Sequence, residues 1–289
     1  MSKIIKYHSG NHTDVGKKRE INQDSFGSAK NDWGELFIVA DGMGGHKGGE
    51  VASKISVETL CSEFKNAPLN ISPSVFLDRA IQNAHEKIVS EAKDNLENKG
   101  MGTTIVAVIL KDNEAHIAHV GDSRFYLFRK KDIWYKTKDH SLVQNLINQG
   151  LLKEGDAESH PEKNKITQAL GVGKIEPEIT NLQLYKNDYL LLCSDGLSGE
   201  VQDDEILEMI LNDSPMITCK KLVDKANDRG GPDNITVITI QISDALSVPK
   251  NLSNSVTASR RIKNTETKKN YFPHIFLSAL VGFFLIYSF

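Results

Sequence analysis

Leu36-Phe37-Ile38-Val39-Ala40-Asp41-Gly42-Met43-Gly44-Gly45-His46 joins an unbroken apolar run to an aspartate and a cluster of glycines. The apolar half lacks a polar alternation, so it predicts a short buried strand. Asp-Gly then ends the strand in a sharp turn, which delivers a carboxylate at the sheet edge. Residues 189–196, Tyr-Leu-Leu-Leu-Cys-Ser-Asp-Gly, repeat the device and place Asp195 after a second buried run.

Working outward, β-branched and aromatic runs predict further strands over 103–110, 115–120, 125–128 and 235–242. Between them lie helical patterns. In 49–64, Val51, Ile55, Leu60 and Phe64 fall on one stripe, and from Ser72-Pro73 onward Phe76, Ala80, Ala84 and Ile88 recur at helical spacing. Serine as N-cap with proline in the first turn starts that helix, and Ser214-Pro215 repeats the signal. Helices are also expected over 141–149, 203–211 and 215–227. Two long helices, a run of strands and then more helices indicate an α+β fold, without the alternation of a parallel sheet.

The length of 289 residues suits one large domain with additions, and 39% hydrophobic with 25% charged residues is an ordinary globular balance. A net charge of -3 gives no basic footprint for nucleic acid. Cys61, Cys193 and Cys219 are an odd set without CxxC spacing, which argues against a disulfide framework or zinc site and for a reducing compartment. The N-terminal MSKIIKYHSG lacks the apolar stretch of a secretory signal, so the globular part is expected in the cytoplasm.

Acidic motifs recur: Thr13-Asp14-Val15-Gly16 with Arg19 and Asn22-Gln23-Asp24, the Asp41 motif above, Val120-Gly121-Asp122-Ser123-Arg124, Ser194-Asp195-Gly196, and Gly231-Pro232-Asp233-Asn234. Any single Asp-Gly pair reads as a turn. Several carboxylates converging from strand ends would repel one another unless cations hold them. Hard divalent ions with oxygen ligands answer that need, and no His/Cys cluster in the sequence competes for a softer metal. Glycine beside aspartate lets a backbone carbonyl approach the ion.

In this order, from about Thr13 to Thr239, the motifs resemble the metal-dependent serine/threonine protein phosphatases, the type 2C or PPM family. DGMGGH, together with DHSLVQNLINQG and HPEKNKITQALG where these enzymes carry a flap, resembles the bacterial branch. The resemblance implies a β-sandwich of two antiparallel sheets flanked by helices, and Mn²⁺ or Mg²⁺ as cofactor, two in a central site and a weaker third. It implies that Asp41 bridges the central pair and that the Gly42 carbonyl completes one site. Asp24, Asp195 and Asp233 would supply further direct or water-mediated ligands, and Asp122 with Asp195 would hold the third ion. Arg19 would grip the substrate phosphate with its planar fork. The reaction implied is in-line attack of a metal-bridging water on phosphoserine or phosphothreonine.

Gln23 departs from the glutamate of many members and implies altered hydrogen bonding around the ligands. Met43 stands where eukaryotic members carry a histidine suggested as general acid. That role would fall to a metal-held water, to the third ion or to His46, whose other reading is a partly exposed loop histidine. His116 and His119 read as strand residues, not ligands. Cys193 reads as an inert packing residue. Two other classes stay open: a non-catalytic phosphoprotein-binding module on the same fold, and a hydrolase of small phosphates, although no P-loop is present.

The expected domain covers 1–243, followed by a polar, basic linker over 244–270 and an apolar helix over 271–289. As a helix the last segment would reach roughly 28 Å at about 1.5 Å per residue, against a bilayer core of about 30 Å. Arg260, Arg261, Lys263, Lys268 and Lys269 precede it, as the positive-inside rule asks of a cytoplasmic domain. The other readings are a helix docked on the globular domain, against which the polar linker stands, or one lying in the membrane interface, against which the lack of a charged face stands. A membrane anchor is therefore expected, with phosphorylated proteins, the substrates of serine/threonine kinases, as partners.

Overall fold

The computed structural model describes residues 5–44, 47–157 and 159–248. Among them the chain forms β1 (Lys6–Asp14), β2 (Ser25–Asn31), β3 (Gly34–Ala40), β4 (Gly42–Met43), α1 (Gly48–Lys65) and α2 (Pro73–Asp94). Then come β5 (Gly102–Thr103), β6 (Ile105–Lys111), β7 (Glu114–Val120), β8 (Arg124–Arg129), β9 (Asp132–Lys136) and α3 (Leu142–Asn148). The last part holds β10 (Glu178–Gln183), β11 (Tyr189–Cys193), α4 (Asp195–Ser198), α5 (Asp203–Asn212), α6 (Pro215–Asp228) and β12 (Ile235–Asp244).

Strand β3 shows why its sequence is apolar throughout. Phe37 and Val39 enter a core shared with Phe125, Leu127, Leu190, Leu192, Ile238 and Ile240 of the opposing sheet. Leu36, Ile38 and Ala40 point the other way, into a core with Leu60, Phe64, Leu77 and Ile81 of α1 and α2. Both faces are covered, so neither can be polar. The sheets are antiparallel five-stranded arrays ordered β1-β12-β11-β8-β9 and β10-β7-β6-β3-β2, with β4 and β5 forming a separate ribbon. The outer face of the first sheet packs Tyr126, Phe128, Leu191 and Val237 against Ile206, Ile210, Leu222 and Val223 of α5 and α6. The layers are thus helix, sheet, sheet, helix, the sandwich that the motifs imply.

Six strands follow the apolar runs read from the sequence. Of the ten strands in the two large sheets, the four without such a run are β1, β2, β9 and β10, and these are the four edges; the short ribbon strand β4 has none either. An edge strand has a partner on one side and solvent on the other, so polar stretches such as KYHSGNHTD suffice to form it. Pairing supplies what propensity does not: β1 is zipped along β12 from Lys6↔Asp244 to Asp14↔Ile235.

The helix starts follow their caps. Ser72 accepts from Val75 N at 3.4 Å with Pro73 behind it, and Ser141 accepts from Gln144 N at 3.1 Å. Helix α6 begins at Pro215, but Ser214 makes no side-chain cap bond. The buried face of α1 also differs from the expected stripe. Val51 and Ile55 are half-buried, while Ala52, Ser53, Ser56 and Thr59 are buried. Small residues let the helix approach the sheet, with Gly27 of β2 under Val57.

Pairing continues past residue 243. Asp244 ends β12, Ala245 is buried, and Leu246 bridges Tyr185, so the first residues of the expected linker belong to the packed domain. The remainder of that linker from 249 and the apolar segment 271–289 lie outside the described residues. Among the described residues no helix is long and apolar enough to cross a membrane.

Candidate metal centre and active site

The sandwich brings strand ends together, and the aspartates come with them. Asp24 precedes β2, Asp41 follows β3, Asp122 sits between β7 and β8, Asp195 opens α4 after β11, and Asp233 precedes β12. All five are half-buried. Asp41 is fixed through its backbone: its N–H donates to Thr104 Oγ1 (3.1 Å), and its carbonyl accepts from Thr104 N and Thr103 Oγ1 (both 2.8 Å). Gly42 N donates to Gln23 O at 3.2 Å, which joins the Asp24 loop to the Asp41 turn. A Cβ at Gly42 would collide with the Gly49 and Gln23 carbonyls, so only glycine fits between them. Gly196 is pressed against the Asn234 carbonyl in the same way.

Residues whose roles the sequence reading left unassigned hold this frame. Ser194 Oγ donates to Asp24 Oδ2 (2.7 Å) and accepts from Thr236 N (2.9 Å). Buried Asn234 accepts from Gln23 N (2.8 Å) and donates to the carbonyls of Val15 (2.9 Å) and Ile21 (3.0 Å). Both stand beside a predicted aspartate in sequence, and that adjacency is the signal that could have found them. Arg124 forks onto Asp139 with bonds of 2.9 and 2.8 Å and lends positive charge near Asp122.

The electrostatics show carboxylates short of compensation. Burial pushes Asp24 up to about 7 against the help of Ser194 and Thr236, with the charges of Asp195 and Asp233 adding to the rise. Burial, and next the charges of Asp195 and Asp139, lift Asp122 to about 8. Asp41 is held well above the carboxylate range by burial and by the charges of Asp24, Asp195 and Asp122. Asp195 is raised as well, chiefly by burial.

Two observations bear on whether a cation fits. The Asp41 and Asp195 carboxyls lie within hydrogen-bonding reach of each other, and two acceptors can share that space only around a proton or a cation. Asp24 Oδ1 and Asp195 Oδ1 are buried with no hydrogen-bond partner. Oxygen-only donors with orphaned oxygens suit hard divalent ions.

Arg19 is at the rim. Its Nη2 donates to Asp233 Oδ2 at 2.8 Å, its side chain is 51% exposed, and the charges of Asp195 and Asp41 reach it. His46, expected to serve catalysis or phosphate binding, lies outside the described residues. His116 is buried in β7 and bonded to Asn181 Oδ1 (2.9 Å). The Cys193 thiol, fully buried, is pushed up to about 12, in keeping with an inert packing role. His119 lies in β7, as a strand residue. The fold does gather histidines, because His119 and His140 meet beside Glu178. They are far apart in sequence, so no local spacing announced them.

Comparison with known proteins identifies the family. The family model described as Protein phosphatase 2C matches residues 14–223. The serine/threonine phosphatase stp of Listeria innocua is 39% identical over 241 residues, covering 81% of this chain and 95% of its own. Protein phosphatase PhpP of Streptococcus pneumoniae is 38% identical over 237 residues, covering 80% and 96%. Among solved structures, the catalytic domain of the serine/threonine protein phosphatase PstP, in complex with 2 manganese ions, superposes with a TM-score of 0.73 at 32% identity, covering 82% of this chain and 99% of that one. By sequence, fold and the construction of its site, the chain belongs to the protein phosphatase 2C family of serine/threonine phosphatases.

Proposed function

We propose that this chain removes phosphate from phosphoserine and phosphothreonine of proteins, with Mn²⁺ or Mg²⁺ held among Asp24, Asp41, the Gly42 carbonyl, Asp122, Asp195 and Asp233. The observation that carries this reading is the contact of Asp41 with Asp195 beside two orphaned carboxylate oxygens, a site that asks for cations. When bound, the cations supply a water of lowered pKa and positive charge opposite the phosphate.

The chain's own residues do the rest. Thr103 and Thr104 clamp the backbone of Asp41 and so fix where its side chain leaves the turn, while Ser194 holds the Asp24 carboxylate directly. Arg19 is exposed enough to turn from Asp233 toward an incoming phosphate, where its fork matches two oxygens. Its charge offsets the charge on the equatorial phosphate oxygens, and this positioning needs no covalent phosphoenzyme. His46 is a further candidate for contact with the substrate.

The apolar segment 271–289, behind its basic flank, supports tethering of a cytoplasmic catalytic domain to the membrane, near phosphoproteins made by serine/threonine kinases. Fractionation of the full chain beside one ending at residue 270 tests this part, and equal recovery of both in the soluble fraction would remove it.

The activity is tested by hydrolysis of a phosphothreonine peptide with and without Mn²⁺, beside Asp195→Ala. Turnover that needs the metal and disappears in the variant is expected. Undiminished turnover in EDTA would refute the reading.

A further inference from the structure

The fold builds a second polar group outside the aspartate centre. His119 is near the end of β7, Glu178 opens β10, and His140 lies in the segment leading to α3. Antiparallel pairing sets Glu178 directly opposite His119. The His140 ring lies 4.6 Å from the His119 ring at 36°, and His140 Nε2 is 4.0 Å from Glu178 Oε2. One ligand atom from each of the three comes within 4.8 Å of the others.

The hydrogen bonds fix which ring nitrogens carry the protons. The Lys138 carbonyl can only accept, so its 2.9 Å contact puts the proton of His119 on Nε2 and leaves the Nδ1 lone pair unprotonated. A backbone carbonyl on the far nitrogen is the usual way an imidazole ligand is oriented. His140 Nδ1 accepts a long 3.4 Å bond from Gly121 N, which leaves Nε2 toward Glu178, too far for a hydrogen bond. His119 is buried, and burial together with the neighbouring His140 keeps it neutral, the form that binds metal.

We propose that His119, His140 and Glu178 form a binding site for a borderline divalent cation of the zinc type, separate from the oxygen-only centre. Two imidazoles with one carboxylate suit zinc better than magnesium. Bonds of about 2.0–2.1 Å in a tetrahedron place ligand atoms roughly 3.3 Å apart, so the side chains close in by an ångström or so. Two of the three ligands, His140 and Glu178, line a groove of about 1340 Å³ with Lys138, Asp139 and Gln168, so water or a further ligand has a way in to complete the set. Binding through His140 Nε2 moves the ring proton to Nδ1 and so gives up the Gly121 contact. Gly121 adjoins Asp122, and the two centres are thereby connected.

The test is Zn²⁺ and Co²⁺ binding by the full chain in excess Mg²⁺, which occupies oxygen-only sites. Wild type and Asp41→Asn should each bind Zn²⁺ at one nitrogen-containing site, and the Co²⁺ form should show the intense visible bands of four-coordination. His140→Ala, and separately Glu178→Gln on the half-exposed side, should weaken Zn²⁺ binding by more than about tenfold and abolish those bands. Circular dichroism confirms that each variant is folded. Zn²⁺ affinity unchanged in the folded variants overturns the proposal, as does a Co²⁺ spectrum of six-coordinate type in the wild type.

Discussion

Ser194 Oγ lies 2.7 Å from Asp24 Oδ2, a hydrogen bond between residues that stand 170 positions apart in the chain. It ties the end of β11 to the entry of β2, and Ser194 is itself fully buried. Replacing it with alanine leaves the Thr236 amide and one carboxylate oxygen without their partner. We expect Ser194→Ala to cost about 1–3 kcal/mol. Turnover should fall most when Mn²⁺ is limiting, because Asp24 loses its orientation. Thermal melts and a Mn²⁺ titration of activity check both parts, and an unchanged half-saturating Mn²⁺ concentration would contradict the second.

Asp41 and Asp195 crowd each other at a cost that a cation would repay. Asp41→Asn should therefore remove activity yet leave the metal-free protein as stable as wild type or more so. Mn²⁺ should stabilise wild type by about 2.7 kcal/mol at a hundred times its dissociation constant, read as a higher melting temperature. The variant should respond far less. Equal Mn²⁺ shifts in both would place the binding elsewhere.

Acidity should act on the metal-free protein in an unusual direction. Asp24 and Asp122 titrate in the fold at about 7 and about 8, against 3.8 for an unperturbed carboxyl. The folded state then holds more protons than the unfolded one. Their contribution is complete below about pH 4 and is lost as pH rises through the folded values. Neutral buried His116 and His119 act oppositely, but only below about their ordinary 6.5. Between about pH 6.5 and 8, the melting temperature in EDTA should fall, and Mn²⁺ should abolish the fall. A rising curve in EDTA would show that the carboxylates are not raised.

Arg19 should matter for turnover and little for stability. Its ion pair with Asp233 is exposed, and such pairs contribute about 0–1 kcal/mol. Arg19→Ala is expected to lower kcat/KM by roughly a hundredfold with the melting temperature unchanged. Arg19→Lys should recover only part, because an ammonium lacks the planar fork. Full recovery by lysine would reduce the role of Arg19 to charge alone.

Far from the site, Arg129 and Asp188 make a buried pair with bonds of 2.8 and 2.7 Å, and the guanidinium stacks on Trp134 and Tyr185. Asp188→Ala strands that cation and should destabilise the domain by about 3–5 kcal/mol. The folded fraction should keep its metal dependence, as measured by urea unfolding beside activity. A loss under about 1 kcal/mol would mean that water reaches the guanidinium.

The central strands, the five longer helices and the aspartates that the turns present were legible in the sequence alone. These are signals within a few residues: an apolar run covered on both faces, a serine before a proline, a carboxylate beside a glycine. The four edge strands were not, since β1, β2, β9 and β10 exist through hydrogen bonds to partners that the fold brings to them and not through their own propensity. The tertiary structure likewise decided the parts of the site that act across the chain: Ser194 on Asp24, Asn234 on Gln23, Arg19 on Asp233, and His119 with His140 and Glu178. A motif states which groups a segment offers. Which of them meet depends on sheet order and register, and these are set by how the two sheets bury their shared face.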